Sequence, residues 1–253
     1  MSRSGSSSCI DGADGESGPA LSHGARREPS MEQEENGQRV LEAGPDDADA
    51  ALILLHGLGA DADDLAPVAQ YLELPDTLRL RVVLPDAPVR PVTVNGGMRM
   101  RAWYDISPET GLDSGREHIA ESVAFARHLV ERETERGVPP ARIVVGGFSQ
   151  GGVIALETGL GHDERLAGIV ALSTYLHDAD HVTERVSLAN AEAEIFMAHG
   201  RSDPMIPIQR AATSRTLLEQ LGYRVAWNEY PMGHELCLDE LRALSAWLKA
   251  RLA

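Results

Sequence analysis

Three residues in the carboxyl-terminal half of the chain carry the side chains of a nucleophile and its activating partners. Ser149 stands in Gly147-Phe148-Ser149-Gln150-Gly151, Asp203 in "HGRSDPMIP" and His234 in "YPMGHE". A serine hydroxyl is a weak nucleophile near neutral pH, so it attacks a carbonyl only when a base takes its proton and a third group holds that base in place. Serine, acid and histidine are the types such a relay needs. The G-x-S-x-G frame is one in which a serine is held exposed on a sharp strand-to-helix turn. Taken alone, the frame equally fits a glycine-rich turn whose serine caps the following helix.

Acyl transfer also needs N–H groups aimed at the oxyanion that develops on the attacked carbonyl. One candidate is the amide of Gln150, directly after the serine, at a helix amino end where the dipole favours negative charge. The other is the amide of Leu58 in His56-Gly57-Leu58-Gly59, a glycine-rich turn after an apolar run. The same turn also reads as a plain loop with Asp61 or Asp63 capping the next helix, and both readings can hold together.

The elements that must position these groups are visible as short apolar runs separated by amphipathic stretches. The runs are "AALILL", "LRVVLP", "RIVVGG", "LAGIVALS", "EIFMAHG" and "RVAWNEY". Helical spacing covers roughly 114–136, 150–160, 209–221 and 235–252. This alternation predicts a mostly parallel central sheet with helices on both faces, a fold whose ligand sites lie beyond the carboxyl ends of the strands. Ser149, Asp203 and His234 each follow such a run.

Composition bounds the rest. A chain of 253 residues accommodates one α/β domain, and a formal charge of −16 argues against nucleic acid or anionic membrane surfaces as partners. Lys249 is the only lysine, which excludes Schiff-base chemistry elsewhere on the chain. Cys9 and Cys237 have no metal spacing and form no disulfide framework, which points to a reducing, cytoplasmic setting. No apolar run is long enough for stable membrane insertion. Residues 1–45 are rich in Ser, Gly, Glu and Asp and are expected to form a disordered acidic tail without a signal sequence, with Met31 as an alternative start; residues 46–253 are expected to form the folded domain.

The other histidines are rivals for the base. His199 reads as a support for the Asp203 loop. His177 and His181, with Asp178 and Asp180, form a cluster that resembles a metal site in composition, but no further ligand is indicated and no metal is expected. His23, His118, His128 and His162 read as tail or surface residues.

With these positions placed, "LHGLGAD", "PDAP", "RAWYD", "GFSQGG", "HGRSDPMIP" and "YPMGHE" occur in an order that resembles the carboxylesterase, lysophospholipase and acyl-protein thioesterase family of α/β-hydrolases. The likeness spans about residues 50–252. It implies an α/β-hydrolase fold with no large cap domain and a cofactor-free serine hydrolase working through an acyl-enzyme. It implies Ser149, Asp203 and His234 as the catalytic triad and the Leu58 and Gln150 amides as the oxyanion hole. The segment "TVNGGMRMRAWYDI" would then flank an acyl pocket walled by Met98, Met100 and Trp103, although a core position for Trp103 fits as well. The resemblance admits a homodimer. The function expected is hydrolysis of short to medium acyl esters. The alternatives are acyl-protein thioesterase or lysophospholipase activity, or a non-catalytic scaffold that keeps the pocket.

Overall fold

The computed structural model describes residues 29–109, 111 and 114–252. Every apolar run named above forms a strand of one eight-stranded sheet. The strands are β1 (Pro29–Glu35), β2 (Gln38–Ala43), β3 (Ala50–Leu55), β4 (Leu80–Pro85), β7 (Ile143–Phe148), β8 (Gly168–Leu172), β9 (Glu194–Gly200) and β10 (Arg224–Tyr230), in spatial order β1-β2-β4-β3-β7-β8-β9-β10. The pairs β1–β2 and β2–β4 are antiparallel and all others parallel. A separate hairpin pairs β5 (Val89–Val92) with β6 (Met98–Arg101).

Alternation along the strands splits the core in two. Leu52, Leu54, Val144 and Val170 face helices α1 (Ala62–Tyr71) and α5 (Leu238–Leu252). Ile53, Leu55 and Val145 face α2 (Arg116–Glu135) and α3 (Gln150–Gly161), and on this same side Ile169 and Met197 pack toward α4 (Ile208–Gln220). Strands β3, β4 and β8 are buried along their whole length, as expected of a sheet covered on both faces. Among the described residues no helix is long and apolar enough to cross a membrane.

The structure corrects the amino-terminal boundary. Residues 29–43, assigned above to a disordered tail, form the β1–β2 hairpin at the sheet edge. Its turn is Asn36-Gly37 with φ of 50° and 77°, the doubly left-handed turn that Asn-Gly favours between antiparallel strands. The acidic character of β2 is neutralised rather than solvated. Glu42 is buried and accepts from Arg132 at 2.6 Å and Arg136 at 2.8 Å, and Arg132 and Arg136 also bind Glu133, which holds Arg81 of β4 at 2.6 Å. Residues 1–28, with Cys9 and His23, lie outside the described residues.

Helix α5 follows directly on the loop that carries His234. Cys237 acts as its cap, accepting from the Leu241 N–H, while the Glu240 carboxyl reaches back to the Cys237 N–H at 3.4 Å. Glu240 is fully buried, its second oxygen has no hydrogen-bond partner among the described residues, and burial pushes its carboxyl up to about 8. The unfolded chain releases this proton near the ordinary value of 4.5 while the folded chain retains it. Folding stability therefore falls as pH rises between about 4.5 and 8. Glu240→Gln keeps an acceptor without a charge, so urea titrations should find it more stable than the parent at pH 7.5 and equal to it at pH 4.5.

Candidate active site

The turn from β7 into α3 places Ser149 at φ 53° and ψ −118°, a backbone conformation that a residue with a side chain adopts only under constraint. The constraint is visible on all sides. The Ser149 N–H donates to the Leu172 carbonyl of β8 at 2.9 Å, and its carbonyl accepts from Gly152 N–H, Val153 N–H and the Thr174 hydroxyl. The neighbouring glycines permit the close approach. A Cβ on Gly147 would lie 2.2 Å from Gly151 carbon, and one on Gly151 would lie 2.2 Å from the Leu55 carbonyl oxygen. The serine hydroxyl does not cap α3, which settles the choice that the motif alone left open.

Held out of the turn, the Ser149 hydroxyl lies 2.8 Å from His234 Nε2, and His234 Nδ1 lies 2.7 Å from Asp203 Oδ2. The Asp203 side chain is fully buried, and its Oδ1 accepts the N–H groups of Met205 at 2.8 Å and Ile206 at 2.9 Å, so its orientation is fixed before it meets the imidazole. His199 completes the loop as expected. Its Nε2–H donates to the Ile206 carbonyl at 2.8 Å, its ring lies 3.4 Å from Asp203 Oδ2, and burial lowers its pKa, which keeps it neutral beside the carboxylate. The three chemical groups thus meet from loops after β7, β9 and β10.

The His56–Gly59 turn faces the serine. A Cβ on Gly57 would sit 3.5 Å from Ser149 Cβ, and Ala60 N–H closes a turn on the Gly57 carbonyl with Gly59 at φ 76°, leaving Leu58 at the outer corner. Among the described residues neither the Leu58 nor the Gln150 N–H has an intramolecular acceptor, and both residues line the cavity at Ser149. His56 underpins the turn. Its Nε2 accepts the Ala87 N–H at 2.9 Å, so Nδ1 carries the proton and donates to the Gly57 carbonyl at 2.7 Å, and burial lowers its pKa.

A frame of further bonds ties both amide-bearing turns together. Trp103 donates its indole N–H to the His56 carbonyl at 2.8 Å, and the Gln150 side chain grips the Trp103 N–H and Tyr104 carbonyl, each at 2.7 Å. Asp86, fully buried, accepts the first N–H of α1 at 2.8 Å and pairs with Arg101 at 2.8 Å, whose own carbonyl receives the Gly59 N–H. Asp86, His56 and Arg101 stand in the motifs "PDAP", "LHGLGAD" and "RAWYD", but sequence reasoning assigns their side chains no role.

A cavity of about 950 Å³ opens at Ser149 and His234. Met100 lines it, but two other residues expected there do not. Trp103 is fully buried in the core against Phe125, because its indole is spent on the His56 carbonyl. Met98 is 64% exposed at the outer end of β6, beyond the cavity wall. Phe148, Ile106, Tyr175 and Leu236 line it instead. The acidic-histidine cluster also resolves into structural contacts. His177 is buried on the Ser114 carbonyl, while Asp178 binds His181, Arg116 and Arg185. His162, expected at the surface, is buried and accepts the Glu164 N–H. His128 meets Glu35 at 3.1 Å, and half-buried His118 accepts the Asp105 N–H.

Comparison with known proteins fits this geometry. The family model described as Phospholipase/Carboxylesterase matches residues 36–252. The chain is 39% identical over 213 residues to acyl-protein thioesterase 1 of Neurospora crassa, covering 80% of this chain and 87% of the relative. It is 34% identical to acyl-protein thioesterase 1 of Yarrowia lipolytica over 209 residues, 80% of this chain and 92% of the relative. The crystal structure of Zea mays acyl-protein thioesterase 2 superposes with a TM-score of 0.71 at 27% identity, covering 81% of this chain and 95% of that one. An eight-stranded, mostly parallel sheet, the Ser149–His234–Asp203 contacts at the carboxyl ends of its strands and a family match over residues 36–252 lead to one assignment: the chain belongs to the phospholipase/carboxylesterase family of α/β-hydrolases.

Proposed function

We propose that the protein is a serine hydrolase that cleaves carboxylic esters and thioesters through an acyl-enzyme on Ser149. The observation that carries this reading is the unbroken pair of hydrogen bonds from the Ser149 hydroxyl to His234 and from His234 to Asp203. His234 takes the hydroxyl proton as Ser149 attacks the carbonyl, Asp203 holds the imidazole and stabilises its charged form, and the Leu58 and Gln150 amides receive the oxyanion. His234 then returns the proton to the departing alcohol or thiol. Water, activated by the same imidazole, releases the acid.

A complete triad disfavours the non-catalytic scaffold. The cavity volume lies at the upper end of the range for small-ligand sites, which supports a substrate with an aliphatic acyl chain. The thioesterase names of the relatives support thioesters as a second substrate class. Among the described residues Cys237 carries a free thiol, which supports a reducing, cytoplasmic setting.

With p-nitrophenyl esters, Ser149→Ala should lower kcat by at least about 10³-fold with an unchanged circular dichroism spectrum, and Asp203→Asn should lower it by about 10⁴-fold. Near-normal turnover in Ser149→Ala would sink the reading. Across acyl lengths from acetate to palmitate, kcat/KM should rise and then fall. Met100→Trp should move the optimum to shorter chains, since Met100 walls the cavity.

A further inference from the structure

The lining of the cavity divides between residues packed with the core on one face of the sheet and residues packed with the core on the other, and these two sides are its arms. Over one face it is lined by Leu65 and Val68 of α1 and by Leu236 and Leu241 at the start of α5, all packed with the core on that side. Over the other it is lined by Tyr104, Ile106, Tyr175 and Ile206, together with Met100 of the hairpin. Ser149 lies between them. The two substituents of an ester carbonyl diverge once Ser149 adds to it, so each arm takes one of them.

The general acid decides which. As the tetrahedral intermediate collapses, the C–O or C–S bond breaks, its electron pair stays on the departing atom, and that atom takes the proton from His234 Nε2. The leaving group must therefore lie on the side of His234. That is the α1/α5 side. The Phe148 ring packs with the core there, its centroid is 4.8 Å from that of His234, and Glu235 and Leu236 continue the wall. The acyl chain is left with the hairpin side.

The leaving-group arm also has a charge character. Asp64 and Glu235 both line it, and neither has a cationic partner among the described residues. None of the described residues lining the cavity is Arg or Lys. A phosphate-bearing leaving group would meet two carboxylates and no counter-charge, while a cation would meet both carboxylates above an apolar floor.

We propose that this arm is a leaving-group subsite that accepts apolar alcohols and thiols, prefers cationic over neutral ones and rejects anionic ones. The proposal rests on the acyl-transfer reading above. The direct probe is a set of butyryl substrates of fixed acyl group: butyrylcholine, its uncharged isostere 3,3-dimethylbutyl butyrate, S-ethyl thiobutyrate and butyryl-coenzyme A. At low salt kcat/KM for the choline ester should exceed that for the isostere about fivefold, and this ratio should fall toward one in Glu235→Gln and in Asp64→Asn and on adding salt. The coenzyme A thioester should react at least about tenfold more slowly than the ethyl thioester. In Leu236→Asp the ratio of hexyl to methyl butyrate should fall, whereas the ratio of methyl octanoate to methyl acetate should respond to Met100→Asp instead.

A choline-to-isostere ratio of one in the parent enzyme, or one that ignores both carboxylate substitutions, overturns the subsite while neutral esters continue to report Ser149 chemistry. Failure of the parent to hydrolyse any neutral ester would overturn the acyl-transfer reading, and the subsite with it.

Discussion

The site depends on the backbone of a single residue. Ser149 sits at φ 53° and ψ −118°, where an L-residue is not at rest, and the conformation persists because the surrounding structure leaves no alternative. Strand β8 takes its N–H, the first turn of α3 and Thr174 take its carbonyl, and Gly147, Gly151 and Gly152 let strand, helix and neighbouring backbone approach to distances that a Cβ would forbid. The strain is of the order of 1–3 kcal/mol and is offset by packing throughout the two cores. In return the hydroxyl points away from the helix end it would otherwise cap and meets the imidazole from the loop after β10.

That constraint propagates through hydrogen bonds rather than through proximity alone. Gln150 is the first residue of the helix that Ser149 opens, and its side chain holds the Trp103–Tyr104 backbone, while the Trp103 indole N–H holds the His56 carbonyl and so the turn that carries Leu58. The two amides proposed for the oxyanion are therefore members of one frame. Arg101 and Asp86 extend the frame to the hairpin and to α1. The hairpin that walls the cavity and the turn that faces the serine are mechanically one piece, so movement of one is expected in the other.

Much of this was legible in the sequence, for physical reasons that also mark the limits. The parallel strands announce themselves because burial on both faces demands continuous apolar runs, and Asp203 and His234 stand out because each follows such a run at a Pro- or Gly-bearing turn. The β1–β2 hairpin reads as tail in the sequence because its buried charge, Glu42, finds no partner nearby along the chain. In the fold Glu42 meets Arg132 and Arg136, which lie 90 and 94 residues away along the chain. The one local mark of the hairpin is the Asn36-Gly37 pair, which composition does not reveal. Met98 and Met100 share a strand face, yet they sit roughly 7 Å apart along it, and only the inner one reaches the cavity. Whether Trp103 faced core or pocket turned on the indole N–H finding the His56 carbonyl, a tertiary contact that no local pattern encodes.

The central claim is that this strained turn makes Ser149 nucleophilic through His234. The most direct measurement is peptide-mapping mass spectrometry of the folded protein after exposure to a fluorophosphonate, which adds covalently to an activated serine. The account predicts a stoichiometric adduct on Ser149, lost in His234→Ala and in the urea-unfolded chain. An unmodified protein, or an adduct on another residue while Ser149 stays free, would contradict it.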